Sequence, residues 1–371
     1  MNKLKIALVK QEVYQDLYVC PVTEKDPGQI LFSSMGRVGP IALMSDLNAD
    51  FYIVKEESNK ETRIYQKVIP HIAPYLHLLK TETLDKIPGQ EFKSPGSPYP
   101  NGKYAVSCYT VDWGQYDIVI SINISLPTQL ILKYPQTLFA YMIGEANMAT
   151  GKARFGYDAT LNQMARGRIS HKCGAIDFPY TFVAKDTLEK IMQQYLGRPS
   201  ARKGIFMEIN STTERPVTRI PDHFQPLADA GYEIILHQQK IADNLKNIYD
   251  AKYFVKMGGR SIRGNSVAEA VSLGTLAIMN RDEVIHHELI IDECNVKTMD
   301  EMISLINRLE NDPELYRTLQ QKQRQVLHTY FFDAPLQSLI NCLKEKRGLS
   351  KPRTYSRWNR LFDNLYFLKL R

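Results

Sequence analysis

Met257-Gly-Gly-Arg-Ser-Ile-Arg-Gly-Asn-Ser-Val-Ala-Glu-Ala-Val-Ser-Leu-Gly274 opens on the last residue of the apolar run YFVKM (253–257) and leads into a second, TLAIM (275–279). The order reads strand, glycine loop, helix start, short helix, glycine stop, strand, which is a piece of a parallel α/β unit. Gly258, Gly259 and Gly264 let the backbone approach a ligand closely. The free N–H groups at the helix start, near Asn265 and Ser266, make a site for an anion. Arg260 and Arg263 add donors suited to a phosphate. The pattern is neither a Walker loop nor GxGxxG. A purely structural reading stands beside the ligand reading: Ser266 and Glu269 have capping-box spacing, the arginines are solvated, and Gly274 caps the helix carboxyl end.

Outward from this segment the same alternation continues. GIFMEI (204–209), a helix-like PDHFQPLADAGY (221–232) and the strand EIILH (233–237) precede it. Thr298 and Glu301 form a capping box after it, and Asp312-Pro313 starts another helix. LGRPSARKG (196–204) has the composition of a boundary between two cores. Before it the alternation repeats: LKIALV (4–9), helix-like GPIALMSDLN (39–48), DFYIVK (50–55), YDIVISI (116–122), helix-like PTQLILKY (127–134) and TLFAYMI (137–143), the last apolar enough to be buried on both faces. The fold class expected is therefore α/β, with two Rossmann-like domains, 1–200 and 201–343, and a tail, 344–371.

At 371 residues the chain is long enough for two cores. Its net charge of +7 comes from 47 basic and 40 acidic residues. The tail holds nine of the basic and two of the acidic residues, which leaves 38 of each sign elsewhere. A nucleic-acid enzyme spreads its basic patch over the folded surface, so this distribution argues against a nucleic-acid partner. The five cysteines form no CxxC pair, which gives no support to a metal site and fits a reducing compartment. The first residues lack a signal-peptide core, and no apolar stretch reaches the roughly 18 residues of a membrane span. The expected location is cytoplasmic.

The run GNSVAEAVSLGTLAIMN, followed by a capped helix and NDPELYRTLQQKQRQVL, resembles the carboxyl-terminal donor domain of GT-B glycosyltransferases over residues 204–343. The resemblance implies two Rossmann-like domains facing a cleft, and a nucleotide-sugar donor whose diphosphate lies at the glycine loop and helix start. By position it gives Gly264, Asn265 and Ser266 to the diphosphate and Glu269 to the donor's ribose, and Gly259 of the glycine loop joins them as a donor-binding candidate. Many retaining members carry a second Glu eight residues earlier, where this chain has Ser261, so retention and inversion both stay open. The loop 210–219 offers Arg215 and Arg219 in place of the family's diphosphate-neutralising pair. GT-B enzymes generally work without a bound metal or cofactor, and the same is expected here.

An inverting reaction needs a base on the acceptor hydroxyl. Glu145, directly after the buried run 137–143, is the best candidate, with Asp112, Asp158 and His171 as rivals and a helix-capping role as the plain alternative. His237 ends its strand and either touches the donor's base or is a core histidine. SSMGRVGP (33–40) and GKARFGYD (151–158), with Arg154, Phe155 and Tyr157, are candidates for an acceptor pocket or else ordinary surface loops. The expected activity is glycosyl transfer to a saccharide or other hydroxyl acceptor, in glycan or surface polysaccharide synthesis. A nucleotide-sugar epimerase or hydrolase, and a sugar- or nucleotide-binding protein without catalysis, are the remaining readings. In the tail, Trp358, Leu361, Phe362 and Leu365 share a helical face. That helix either anchors the enzyme at the inner face of an anionic membrane, near a lipid-linked acceptor, or packs back on the first domain.

Overall fold

A computed structural model of the chain describes residues 4–11, 18–19, 30–31, 47–55, 73–80, 108–122, 126, 128–143, 156–162, 176–177, 185–208, 217–238, 241–258, 262, 265–351, 353–354 and 356–358. It divides into two compact units. The first holds Met1–Gly28, Met35–Phe182 and Ala334–Arg371, and the second holds Gln29–Ser34 and Val183–Asp333. The α/β class with two Rossmann-like units is as expected. The chain passes between units at 28/29, 34/35, 182/183 and 333/334, whereas composition alone pointed to 200/201 and 343/344.

In the first unit the described residues form a parallel sheet of β1 (Ile6–Gln11), β2 (Asp50–Lys55), β3 (Leu76–Lys80), β4 (Ile118–Ile122), β5 (Leu138–Ile143), β6 (Ala159–Asn162) and β7 (Ile176–Asp177). Their order is β3-β2-β1-β4-β5-β6-β7. The sheet steps outward from β1 on both sides, with Leu8 level with both Phe51 and Ile120. A parallel sheet is covered on both faces, and β5 shows it: Leu138, Phe139, Ala140, Tyr141 and Met142 are all buried. The short helix α1 (Thr128–Leu132) adds Leu130 and Ile131 to a core with Trp113, Phe139 and Tyr141. Trp113 also donates its ring N–H to the Cys108 carbonyl at 2.8 Å. Most of the helix-like stretch 39–48 lies outside the described residues.

The second unit runs α2 (Thr187–Leu196), β8 (Ile205–Met207), α3 (Gln225–Asp229), β9 (Ile234–Ile235), α4 (Ile241–Asp250), β10 (Tyr253–Lys256), α5 (Asn265–Ser272), β11 (Leu276–Met279), α6 (Met299–Asn311) and α7 (Pro313–His328). Its sheet has the order β9-β8-β10-β11, all parallel. Every residue of β8, β10 and β11 is buried. Phe224, Leu227, Met302, Ile306 and Leu309 pack on that sheet. Both halves of the expected capping box are present at α6: Glu301 N–H donates to Thr298 Oγ1 and Thr298 N–H to Glu301 Oε2, each at 3.2 Å. Asp312 accepts from Leu315 N–H at 2.9 Å, with Pro313 as the first residue of α7.

After a π-helical turn at Thr329–Asp333, α8 (Ala334–Arg347) returns to the first unit. Lys346 Nζ donates to Asp158 Oδ2 (2.8 Å) and the Thr137 carbonyl (2.6 Å). Arg347 Nη2 donates to Asp117 Oδ1 at 2.7 Å, and Arg353 also bonds Asp158. Burial pulls the Lys346 ammonium below its usual range although Asp158 acts the other way. Three of the tail's cations are thus used inside the first unit. Trp358 is 68% exposed, and the helix expected around it lies outside the described residues beyond 358. Among the described residues no helix is long and apolar enough to cross a membrane.

Candidate functional site

In the second sheet the chain goes from β8 to β9 on one side, then crosses over to place β10 on the other. The crevice at the carboxyl ends of β8 and β10 is therefore the switch point where ligands of open α/β sheets bind. The segment 257–274 leaves β10 at this place. Because all four strands are parallel, the residues that follow them gather along one edge: Glu208 after β8, His237 after β9, Lys256 to Gly258 at the end of β10, and Asn280 after β11.

Lys256 is wholly buried. Its ammonium donates to the Gly258 carbonyl at 2.6 Å and to Glu283 Oε2 at 2.7 Å. The other oxygen of Glu283 accepts the Gly258 N–H at 3.0 Å. Gly258 has φ +69°, the left-handed region that a side chain disfavours. Glu283 ends a 3-10 turn, Arg281–Glu283, capped by Asn280, whose side chain accepts the Asp282 N–H at 3.0 Å. The Glu283 carbonyl then takes the Ile262 N–H, and the Ile262 carbonyl takes the Ile285 N–H, both at 2.9 Å. Glu208 is buried as well; its N–H donates to the Val255 carbonyl at 2.9 Å, and it directly follows the register pair Met207 and Val255.

Asn265 is the first residue of α5 and Ser266 the second. Ser266 therefore lies inside the helix and is not its N-cap, so the capping-box reading of Ser266 and Glu269 does not describe this helix. Glu269 is buried. The helix ends as a Schellman motif: Thr275 N–H reaches the Ala270 carbonyl at 2.8 Å and Gly274 N–H the Val271 carbonyl at 3.0 Å, with Gly274 at φ +82°. His237 is buried beside Phe206, ring centres 5.9 Å apart, and its ring nitrogens lie 3.3 Å from Asn244 Nδ2. Asn244 also accepts the Gln238 N–H (2.7 Å) and donates to the Gln238 carbonyl (2.8 Å), fixing the turn that carries His237.

The structure thus brings Asn265, Ser266, Glu269 and His237 to the second unit's α/β layer. Gly259, Arg260, Ser261, Arg263, Gly264 and Arg215 lie outside the described residues, as do Glu145, Arg154, Phe155 and His171. Three first-unit candidates have structural duties. Tyr157 is buried, its hydroxyl 2.6 Å from Ser121 Oγ and 2.8 Å from the Leu126 N–H it accepts, with its ring 5.3 Å from that of Tyr141. Tyr157, offered by the sequence as part of an acceptor pocket or of an ordinary surface loop, is thus a core residue. Asp158 accepts from Phe139 N–H at 2.7 Å as well as from Lys346 and Arg353, and Asp112 caps a turn through Gly114 N–H at 3.1 Å. Sequence reasoning passed over Glu208, Lys256 and Glu283. For Glu208 and Lys256 the available signal was a charged residue at the carboxyl end of an apolar strand, in GIFME and in YFVK, whereas Glu283, in a turn, carried none.

No family model matches the chain, and no curated protein matches it. Similar solved structures include T4 phage BGT in complex with its UDP-glucose substrate, 11% identical, covering 93% of this chain and 100% of that one with a TM-score of 0.39. Sucrose-phosphate synthase from Thermosynechococcus elongatus is 12% identical, with coverage of 93% and 99% and a TM-score of 0.42. The N-terminal domain of Candida albicans trehalose-6-phosphate phosphatase is 11% identical, with coverage of 93% and 98% and a TM-score of 0.48.

Proposed function

We propose that the chain is a nucleotide-sugar-dependent glycosyltransferase whose second unit binds the donor and whose first unit binds the acceptor. The observation that carries this reading is Glu269: a buried carboxylate at the fifth position of the helix that follows a glycine loop, beside the switch point of a parallel sheet. In this reading Glu269 accepts hydrogen bonds from ribose hydroxyls. The N–H groups at the start of α5 and the side chains of Arg260 and Arg263 take the diphosphate, with Gly259, Gly264, Asn265 and Ser266 lining its approach and Arg215 adding a further cation. Charge on the leaving diphosphate grows toward the transition state and is met by these groups, without a metal ion or cofactor. Glu145 is the proposed base for an inverting transfer to a glycan or other hydroxyl acceptor, in polysaccharide synthesis, and His237 borders the donor's base. The pairing of Lys346, Arg347 and Arg353 with Asp158 and Asp117 favours the tail as a closing element of the first unit over a membrane anchor.

A thermal-shift screen of UDP-, GDP-, dTDP- and CMP-sugars tests the reading, since a ligand at 100 times its Kd stabilises the native state by about 2.7 kcal/mol. Glu269→Gln is expected to weaken binding of the active donor by about 1–3 kcal/mol with the melting temperature unchanged. A lower melting temperature with unchanged donor affinity would return Glu269 to the scaffold, and a screen with no shift from any sugar nucleotide would sink the transferase reading.

A further inference from the structure

We propose that Lys256 and Glu283 are positioning residues for the donor's diphosphate, holding the main chain at Gly258 and at Ile262 on its way from β10 to the start of α5; this rests on the donor site proposed above. Stability alone does not explain the pair. Burying an ammonium and a carboxylate is often no better than burying two apolar side chains of the same size, and Lys256 stands at the end of a strand whose other residues are Tyr253, Phe254 and Val255. The pair does what apolar side chains cannot. The ammonium takes the carbonyl of Gly258 and the carboxylate takes its N–H, which fixes the peptide planes on both sides of a residue in the left-handed region. The main chain of Glu283 holds a second point, the N–H of Ile262, three residues before the first residue of α5. A single residue, Glu283, thus holds both Gly258 and Ile262, and Lys256 locks its carboxylate in place. Because Glu283 already answers the charge of Lys256, the ammonium serves the anion through geometry and not as its counter-ion.

The double variant Lys256→Met with Glu283→Gln removes the buried ammonium and its half-buried partner together, so neither is left unpaired and the fold is expected to survive. Calorimetry with UDP, GDP and dTDP, and with uridine, guanosine and thymidine, separates the two ends of the ligand. The expected result is a melting temperature close to wild type, an affinity for the diphosphate lower by about tenfold or more, and an unchanged affinity for the nucleoside. A folded double variant that binds the diphosphate as wild type does, or that loses nucleoside and diphosphate in equal measure, overturns the proposal. Failure of the wild-type chain to bind any of the three diphosphates removes the donor site itself, and the positioning role with it. Should the double variant not fold, hydrogen exchange on the wild-type chain decides. Protected amides at Gly258 and Ile262 support the clamp, and exchange at the rate of free amides overturns it.

Discussion

The two ends of the second sheet answer the same electrostatic demand differently. Helices that cross between parallel strands run opposite to them, so helix carboxyl ends collect at the amino ends of the strands and helix starts at the carboxyl ends. At the amino end the demand for cations is met from within the chain. Arg202 donates to the carbonyls of Tyr249 (3.3 Å) in α4 and Leu273 (2.7 Å) after α5, and to Thr275 Oγ1 (3.3 Å). Glu189 pairs with both Arg202 and Arg324. Arg198 makes two bonds to Asp250, at 2.7 and 2.5 Å. At the carboxyl end the side chains on view are mostly acidic, Glu208, Glu269 and Glu283 against Lys256, and Lys256 and Glu283 grip main chain. One end is a closed ionic lattice, and the other is where the donor is proposed to bind. Stability should therefore reside in the first and ligand affinity in the second.

The sharpest way to break that division is Gly274→Ala. A Cβ there collides with Arg324 and Arg202, comes within 2.9 Å of Glu189 Oε1, and forces φ +82° on a residue with a side chain. The side-chain ends can move aside at the cost of their mutual pairing and the strained φ remains, so the expected cost is about 1–3 kcal/mol in urea unfolding, with donor affinity of the folded fraction unchanged. A large loss of affinity at unchanged stability would show that the two ends are not separable. Thr298→Ala, which removes a cap from α6 without touching the ionic lattice, should cost about 1 kcal/mol, read from the same urea titration, and sets the scale for an ordinary local defect. The smallest effect belongs to Asp250→Asn and depends on pH. Burial alone would raise this carboxyl, but the bonds from Arg198 and from Ala201 N–H hold it below its ordinary value. Its contribution is complete above the unfolded value of about 3.9 and fades as pH falls through the lower folded value. The variant should lose stability less steeply than wild type below about pH 4, as followed by urea midpoints across the acid range. An identical acid limb would remove Asp250 from the lattice.

The parts legible in the sequence are those whose signal is local. The apolar run 137–143 is β5, and Thr298 with Glu301, and Asp312 with Pro313, start helices where their spacing puts them. The Gly274 stop is a helix cap with a second purpose, since the space it leaves is filled by two arginines. What could not be read depends on partners distant in the chain. Lys256 looks like an exposed residue until Glu283, 27 positions on, is brought beside it. Tyr157 looks like a surface aromatic until Ser121 and the Leu126 N–H occupy its hydroxyl. LHLLK (76–80) has no clear period, yet forms β3 because β2 offers it a parallel edge, Tyr52 level with His77. The spacing of Ser266 and Glu269 misled in the opposite sense: the local pattern was present, but the helix begins two residues too early for it.

The return of α8 to the first unit also sets an order of events during synthesis. The second unit is almost one continuous stretch, Val183–Asp333, while the first needs residues on both sides of it. A chain emerging from the ribosome folds by domains, and here the later unit has all of that stretch before the earlier one does. Asp158 waits 188 positions for Lys346. Until α8 arrives, the aspartates at 117 and 158 stand without the cations that neutralise them, so the first unit is the last to be sealed and the more exposed to nascent-chain quality control.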